Sequence, residues 1–181
     1  MQFTTLPESD HPLVTLRPIV AADIPVWFDY LSLPIVHEHT SWHLQSPSQL
    51  EHYDSAQLQH TPSSLLRLAI ADRASGRMLG SIGFHTVSPE NRTAELAYDL
   101  SPPAWGQGIA SAMARTLVAW AHDHVGLVRV QATALSSNAR SMKVLERCGF
   151  EREGLLRSYR LVRGRPGDFW MFAHVVPLAA N

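Results

Sequence analysis

Only one cysteine, Cys148, occurs in the 181 residues, so no disulfide can form within the chain. Charge of one sign is also lacking: the formal net charge at pH 7 is −1. Such a balance gives no general pull toward nucleic acid or an anionic membrane, and no direct partnership with either is expected. No uncharged apolar run approaches the ~20 residues that a bilayer span requires. The first residues show no cationic stretch leading into a long apolar run, so no signal peptide is expected, and a cytoplasmic, bacterial-type protein is. Repeats, low-complexity tracts and linkers are missing too. What remains, with 45% hydrophobic residues, suffices for one core, and residues 1–181 read as a single domain.

Alternation and spacing give the order of elements. Leu13–Ile19 reads as a short strand, and Ala21-Ala22-Asp23 opens a helix carrying Ile24, Trp27, Phe28, Tyr30 and Leu31. A second amphipathic helix is expected over Ser48–His60, started by Ser46-Pro47 and closed by Pro62, with a loop between the two helices. Leu65–Asp72 and Met78–Val87 alternate as strands joined by an Ala74-Ser75-Gly76 turn, and Thr93–Leu100 pairs next.

The most informative stretch follows. Trp105-Gly106-Gln107-Gly108-Ile109-Ala110 runs directly into a long apolar helix over Ile109–His124. Two residues without a Cβ let a ligand lie against successive amide N–H groups, and the helix points its positive end at the same place. That combination suits a pyrophosphate. The Walker form fails, because it needs a Lys and then Ser or Thr after the last Gly, where Ile109 and Ala110 stand. The dinucleotide fingerprint fails as well, because Ser111 stands where a third Gly or Ala is needed.

Downstream, Val128–Leu135 alternates as a half-buried strand, and Ser136-Ser137-Asn138 turns into a short helix over Ala139–Arg147 that stops at Gly149. Phe150 begins another strand. Strand, Gly turn, helix, strand, Asn turn, helix, Gly-Phe, strand resembles the GNAT acyl-CoA N-acyltransferase superfamily, whose phosphate turn reads Arg/Gln-Gly-x-Gly-x-Gly/Ala. This chain departs from that turn at Trp105. Pro102-Pro-Ala-Trp-Gly-Gln-Gly108, Asn138-Ala-Arg-Ser141 through Gly149-Phe150-Glu-Arg-Glu-Gly154, and Gly164-Arg-Pro-Gly-Asp168 are similar to the ribosomal-protein N-terminal acetyltransferase (RimJ/RimL-like) branch. The resemblance covers about residues 12–176.

It implies an α/β (α+β) fold whose mixed, mostly antiparallel sheet is splayed after the fourth strand, beyond Leu100, with helices on both faces. It implies acetyl-CoA as cosubstrate, held by the turn of Gly106, Gln107, Gly108, Ile109 and Ala110, by Leu100 at the edge of the splay, and by Asn138. The acceptor would be a primary amine, a protein N-terminal α-amine from the branch, with a small-molecule amine (amino acid, polyamine or antibiotic) as the alternative. A domain that binds acyl-CoA without turnover is a further reading. The resemblance also allows a homodimer.

Attack on a thioester needs an uncharged amine, hence a proton acceptor. Alternation puts Glu95, Ala97 and Asp99 on one face of their strand and Leu96, Tyr98 and Leu100 on the other, and the family's carboxylate on this strand makes Glu95 the candidate base. Ser141, three residues after the cap Asn138, is the candidate acid for the sulfur leaving group, with Tyr98 and Tyr159 as alternatives. A backbone N–H between Glu95 and Leu100 would hold the thioester oxygen. Arg115, Arg140, Lys143 and Arg147 are candidates for the CoA 3′-phosphate or are solvated helix cations. Cys148, with no His beside it, reads as a small buried residue. His37, His39 and His43 with Glu38 lack a recognisable further ligand pair, so no metal is expected. By its place in the family, their loop with Trp42 walls the acceptor cleft.

Overall fold

The computed structural model describes residues 5–41, 44–58 and 66–176. Seven strands form one sheet: β1 (Val14–Pro18), β2 (Leu66–Asp72), β3 (Met78–Ser88), β4 (Thr93–Leu100), β5 (Arg129–Leu135), β6 (Glu151–Val162) and β7 (Arg165–Val175). Their spatial order is β1-β2-β3-β4-β5-β7-β6. Every neighbouring pair is antiparallel except β4 and β5, which run parallel for three residue pairs only, Thr93 with Arg129, Ala94 with Val130 and Glu95 with Gln131. The sheet therefore opens inside β4, just after Glu95, and not beyond Leu100 where the sequence reading places the splay. The register shift opposite Leu96 and Glu95, at Phe84–Thr86 of β3, turns β4 at that point.

Helices cover both faces, as expected. On one side α1 (Asp23–Leu31), with Ile24, Trp27 and Leu31, packs on Leu50, Ala69 and Met78. On the other, α4 (Ile109–Asp123) buries Ile109, Met113, Leu117 and Ala121 against Leu68, Ile70, Ile82 and Leu96, and α5 (Ala139–Arg147) adds Leu145 to that core. Leu68 and Ala69 serve opposite cores because successive strand residues face opposite ways.

The expected helix over Ser48–His60 does not form as one element. A 3₁₀ helix, Pro47–Tyr53, is followed by a one-turn helix, α3 (Ser55–Leu58), and residues 59–60 lie outside the described ones. Asp54 breaks it: its backbone is extended, with ψ of 127°, and its carboxylate accepts the Ala56 N–H as a new cap at 3.2 Å. A short helix that the periodicity does not reveal, α2 (Pro34–His37), follows α1 in the loop before it.

Candidate active site

Opening the sheet after Glu95 leaves the far half of β4 without a strand on one side. The Ser101 N–H donates to the Leu79 carbonyl of the β3 side at 2.8 Å, so by alternation the main-chain groups of Tyr98 and Leu100 point to the opposite, opened edge. In agreement, the Leu100 carbonyl accepts the Trp105 indole Nε1–H at 2.8 Å. Trp105 is thereby pinned to the strand end, and the turn that follows it is fixed. Gly106 and Gly108 take φ of 76° and 77°, and a Cβ at either would meet nothing within 4 Å. Gly108 caps α4, whose first amides have no acceptor within the helix. Arg140, the second residue of α5, sets its guanidinium 4.6 Å over the Trp105 ring. A cation thus stands beside position 105, where the family's turn has Arg or Gln and this chain has Trp.

A cavity of about 590 Å³ lies along this edge. Leu100, Gly106, Gly108, Ile109, Ala110 and Asn138 line it, with Arg140, Lys143 and Arg147, while Gln107 does not: its side chain turns away to donate to the Pro103 carbonyl at 2.8 Å. Arg115 does not line it either. Six of the seven expected cofactor residues are thus brought to one cavity. Its size and the bare glycine turn fit a long phosphorylated ligand such as acetyl-CoA.

Glu95 belongs to a second, smaller cavity of about 130 Å³ on the other side of β4, with Arg67, His85, Thr133, Arg160 and Phe169. Tyr98, Asp99, Asn138, Ser141, His39 and Thr40 line both, so the two cavities meet at these residues. At that junction the Tyr98 and Ser141 hydroxyls are 2.8 Å apart, and Tyr98 also donates to the Ser141 carbonyl at 3.2 Å. Burial pushes the Tyr98 phenol well above its ordinary range, so it stays a proton donor. Asn138 accepts the Ser141 N–H at 3.0 Å and donates to the His39 carbonyl at 3.3 Å, which occupies both ends of its amide.

Glu95 is buried at 7% exposure. Its Oε1 accepts from Thr133 Oγ1 at 2.9 Å and from Arg160 at 3.0 Å, while His85 Nε2 lies 3.4 Å away. Both hydrogen bonds fall on one oxygen, which leaves Oε2 without a donor among the described residues. Burial lowers the His85 pKa, and Arg160 and Arg67 add to the effect against the attraction of Glu95. Asp99, two turns of the pleat further on, is saturated: Arg67 and Ser81 donate to Oδ2 at 2.6 Å each, and Trp27 and Tyr30 donate to Oδ1. Sequence reasoning missed Arg67, His85 and Arg160. Arg67 alone left a trace, as a charge inside the otherwise apolar run of β2.

Tyr159 lines neither cavity and stands against Phe169 edge-on at 5.8 Å. Cys148 is buried, donates to the Ser111 carbonyl at 3.3 Å, and has its thiol pKa raised by burial. Trp42 and His43 lie outside the described residues. Among those described, no three His, Cys, Asp or Glu side chains are grouped to hold a metal ion.

A sheet opened between its one parallel strand pair, with a two-glycine turn feeding a helix at the opening, is the GNAT fold. The chain belongs to that family: the family model of the acetyltransferase (GNAT) domain matches residues 14–151. Over 112 residues it is 33% identical to YoaA, an uncharacterized N-acetyltransferase of Bacillus subtilis strain 168, a stretch of 62% of this chain and 63% of that one. The match spans under two thirds of the length of this relative and of the N-acetyltransferase p20 of Bacillus licheniformis, 63% and 60%. Ribosomal-protein-S5-alanine acetyltransferase of Vibrio fischeri shares the fold with a TM-score of 0.81 at 16% identity, over 93% of this chain and 96% of that one. Spermidine N-acetyltransferase of Vibrio cholerae, in complex with CoA and spermine, does so with 0.79 at 19% identity, over 91% and 96%. The fold is common to both, whereas the acceptors they are named for differ in class.

Proposed function

We propose that this chain transfers the acetyl group of acetyl-CoA to an N-terminal α-amine of a protein or peptide. In this reading the amides of Gln107, Gly108, Ile109 and Ala110 hold the pyrophosphate, the Arg140 cation stands beside it, and Leu100 and Asn138 flank the arm of the cofactor. Acetyl-CoA, when bound, supplies an electrophilic thioester carbonyl. The N–H groups of Tyr98 and Leu100, aimed at the opened edge, are the donors available to its oxygen. Ser141, oriented by the Tyr98 hydroxyl beside it, donates a hydrogen bond to the departing thiolate, which takes its proton from solvent on release. Glu95 takes the proton shed by the amine on Oε2, with Thr133 and Arg160 fixing the carboxylate through Oε1.

One observation carries the acceptor class: both carboxylates of the small cavity, Glu95 and Asp99, are already bonded by an arginine. A polyamine brings further ammonium groups, and among the described lining residues none finds an unpaired carboxylate. An α-amine, with a pKa near 7.8, is about one third neutral at pH 7.5, against roughly one part in 800 for an alkyl amine near 10.4. That difference in neutral fraction favours the former by about 250-fold before any contact is made. The test is acetyl-CoA binding by calorimetry, with thiol release followed on a panel of short peptides and of polyamines. Binding that is absent in the wild type, or that survives Gly108→Glu undiminished, overturns the cofactor site. Thiol release with spermidine and with none of the peptides overturns the acceptor.

A further inference from the structure

Arg163 holds a backbone conformation that its residue type resists. Val162 pairs with Arg165, so Arg163 and Gly164 form the two-residue tip of the β6–β7 hairpin, with φ of 50° and 76°. Positive φ at both positions marks a type I′ turn, which prefers Asn or Asp followed by Gly. An arginine there is strained, and a strained side chain that makes specific distant contacts points to a role for those contacts.

The contacts are to one segment. The Arg163 guanidinium donates to the carbonyls of His37 at 2.8 Å and Glu38 at 2.9 Å, with Thr40 at 3.4 Å. The Glu38 and Thr40 carbonyls lie past the end of the short helix α2, and the His37 carbonyl accepts the Thr40 N–H at 3.1 Å as well. From the opposite side Asn138 donates to the His39 carbonyl. Residues 37–41 are therefore strapped between the last hairpin and the β5–α5 turn. His39 and Thr40 line both cavities, so the strap crosses their junction.

We propose that Arg163 is a positioning residue that clasps this strap and thereby fixes the wall against which the acceptor amine is held. This rests on the reading of the small cavity as the acceptor site. Release of the clasp lowers the fraction of molecules whose acceptor wall is formed, and the apparent acceptor affinity falls by the same factor. The glycine turn, on the far side of the junction, is not touched by Arg163.

Arg163→Asn separates the clasp from the turn, because Asn suits a type I′ tip better than Arg. The expected result is an unchanged or higher Tm, an acetyl-CoA Kd within about twofold of wild type, an acceptor KM raised about tenfold with kcat within about twofold, and faster amide exchange at residues 37–41. Arg163→Lys, a single-point donor, should recover part of the KM. Unchanged exchange in Arg163→Asn overturns the clasp, and faster exchange with an unchanged acceptor KM overturns its positioning role. A KM rise that follows a fall in Tm also counts against it. Failure of the acceptor reading looks different: the wild type would turn over no α-amine while still binding acetyl-CoA.

Discussion

Removing the Ser141 hydroxyl isolates the chemistry from the fold. Ser141→Ala keeps the helix cap, since Asn138 accepts the main-chain N–H of residue 141 and not its side chain. The Tyr98 hydroxyl keeps a partner in the residue 141 carbonyl at 3.2 Å, so no buried donor is orphaned. The loss is one half-buried hydrogen bond, about 0.5–1.5 kcal/mol, partly offset by the ~0.5 kcal/mol that Ala gains over Ser in a helix. The net stays under about 1 kcal/mol, or roughly 2–4 °C in Tm for a domain of this length. Loss of a hydrogen-bond donor to the charge that develops at the reacting centre is larger, about 10²–10³-fold in kcat. The assay is steady-state thiol release at saturating acetyl-CoA, beside calorimetric affinity and a melting curve. Tyr98→Phe should cost about tenfold, and the double variant should be no slower than Ser141→Ala, because Tyr98 acts through Ser141. A Ser141→Ala enzyme within threefold of wild type, or a double variant whose losses simply multiply, refutes the pairing of Tyr98 with Ser141.

Glu95→Gln keeps the shape and the Thr133 and Arg160 hydrogen bonds but removes the charge. It should lower kcat by more than about 10²-fold, with Tm down only a few degrees because Arg160, one third exposed, can be rehydrated. Gly108→Glu places a side chain and a negative charge in a turn with φ of 77° and should abolish acetyl-CoA binding in calorimetry while the circular dichroism stays that of the wild type. Arg140→Ala removes the guanidinium stacked on Trp105 and should weaken acetyl-CoA about five- to tenfold, with a flatter dependence of Kd on salt. Stability should fall in acid through His174, whose pKa is lowered first by burial and then by His122, 3.0 Å away. A base held neutral in the fold contributes above its unfolded pKa of about 6.5 and loses that contribution as pH drops below it, so His174→Asn should flatten the melting profile between about pH 6.5 and 5.

How much of this was legible follows from which atoms do the holding. A turn with φ of 76° and 77° favours glycine, so Gly106 and Gly108 print it directly into the sequence. The Asn138 cap and the Gly149 stop likewise bound α5 where they were read. The break at Asp54 was not legible from periodicity, because an Asp inside an amphipathic run also reads as a polar-face residue until its own backbone turns out to be extended. Nor was the point of opening: Thr93–Leu100 alternates evenly throughout, and the splay after Glu95 depends on where β5 diverges. The smaller cavity was least visible. Its determinants are side chains that meet across the fold, Arg67 with Asp99 at a separation of 32 residues, Arg160 with Glu95 at 65, and Arg163 with the His37 carbonyl at 126. An arginine that neutralises a buried carboxylate has the same local signature as one on a solvated strand. Pairing therefore decides whether Glu95 stands in its cavity as an open anion or as a carboxylate with one oxygen spoken for. The glycine turn and Asn138 at the larger cavity were readable from residues near one another in the chain, while the smaller cavity depends on segments that only the folded sheet brings together.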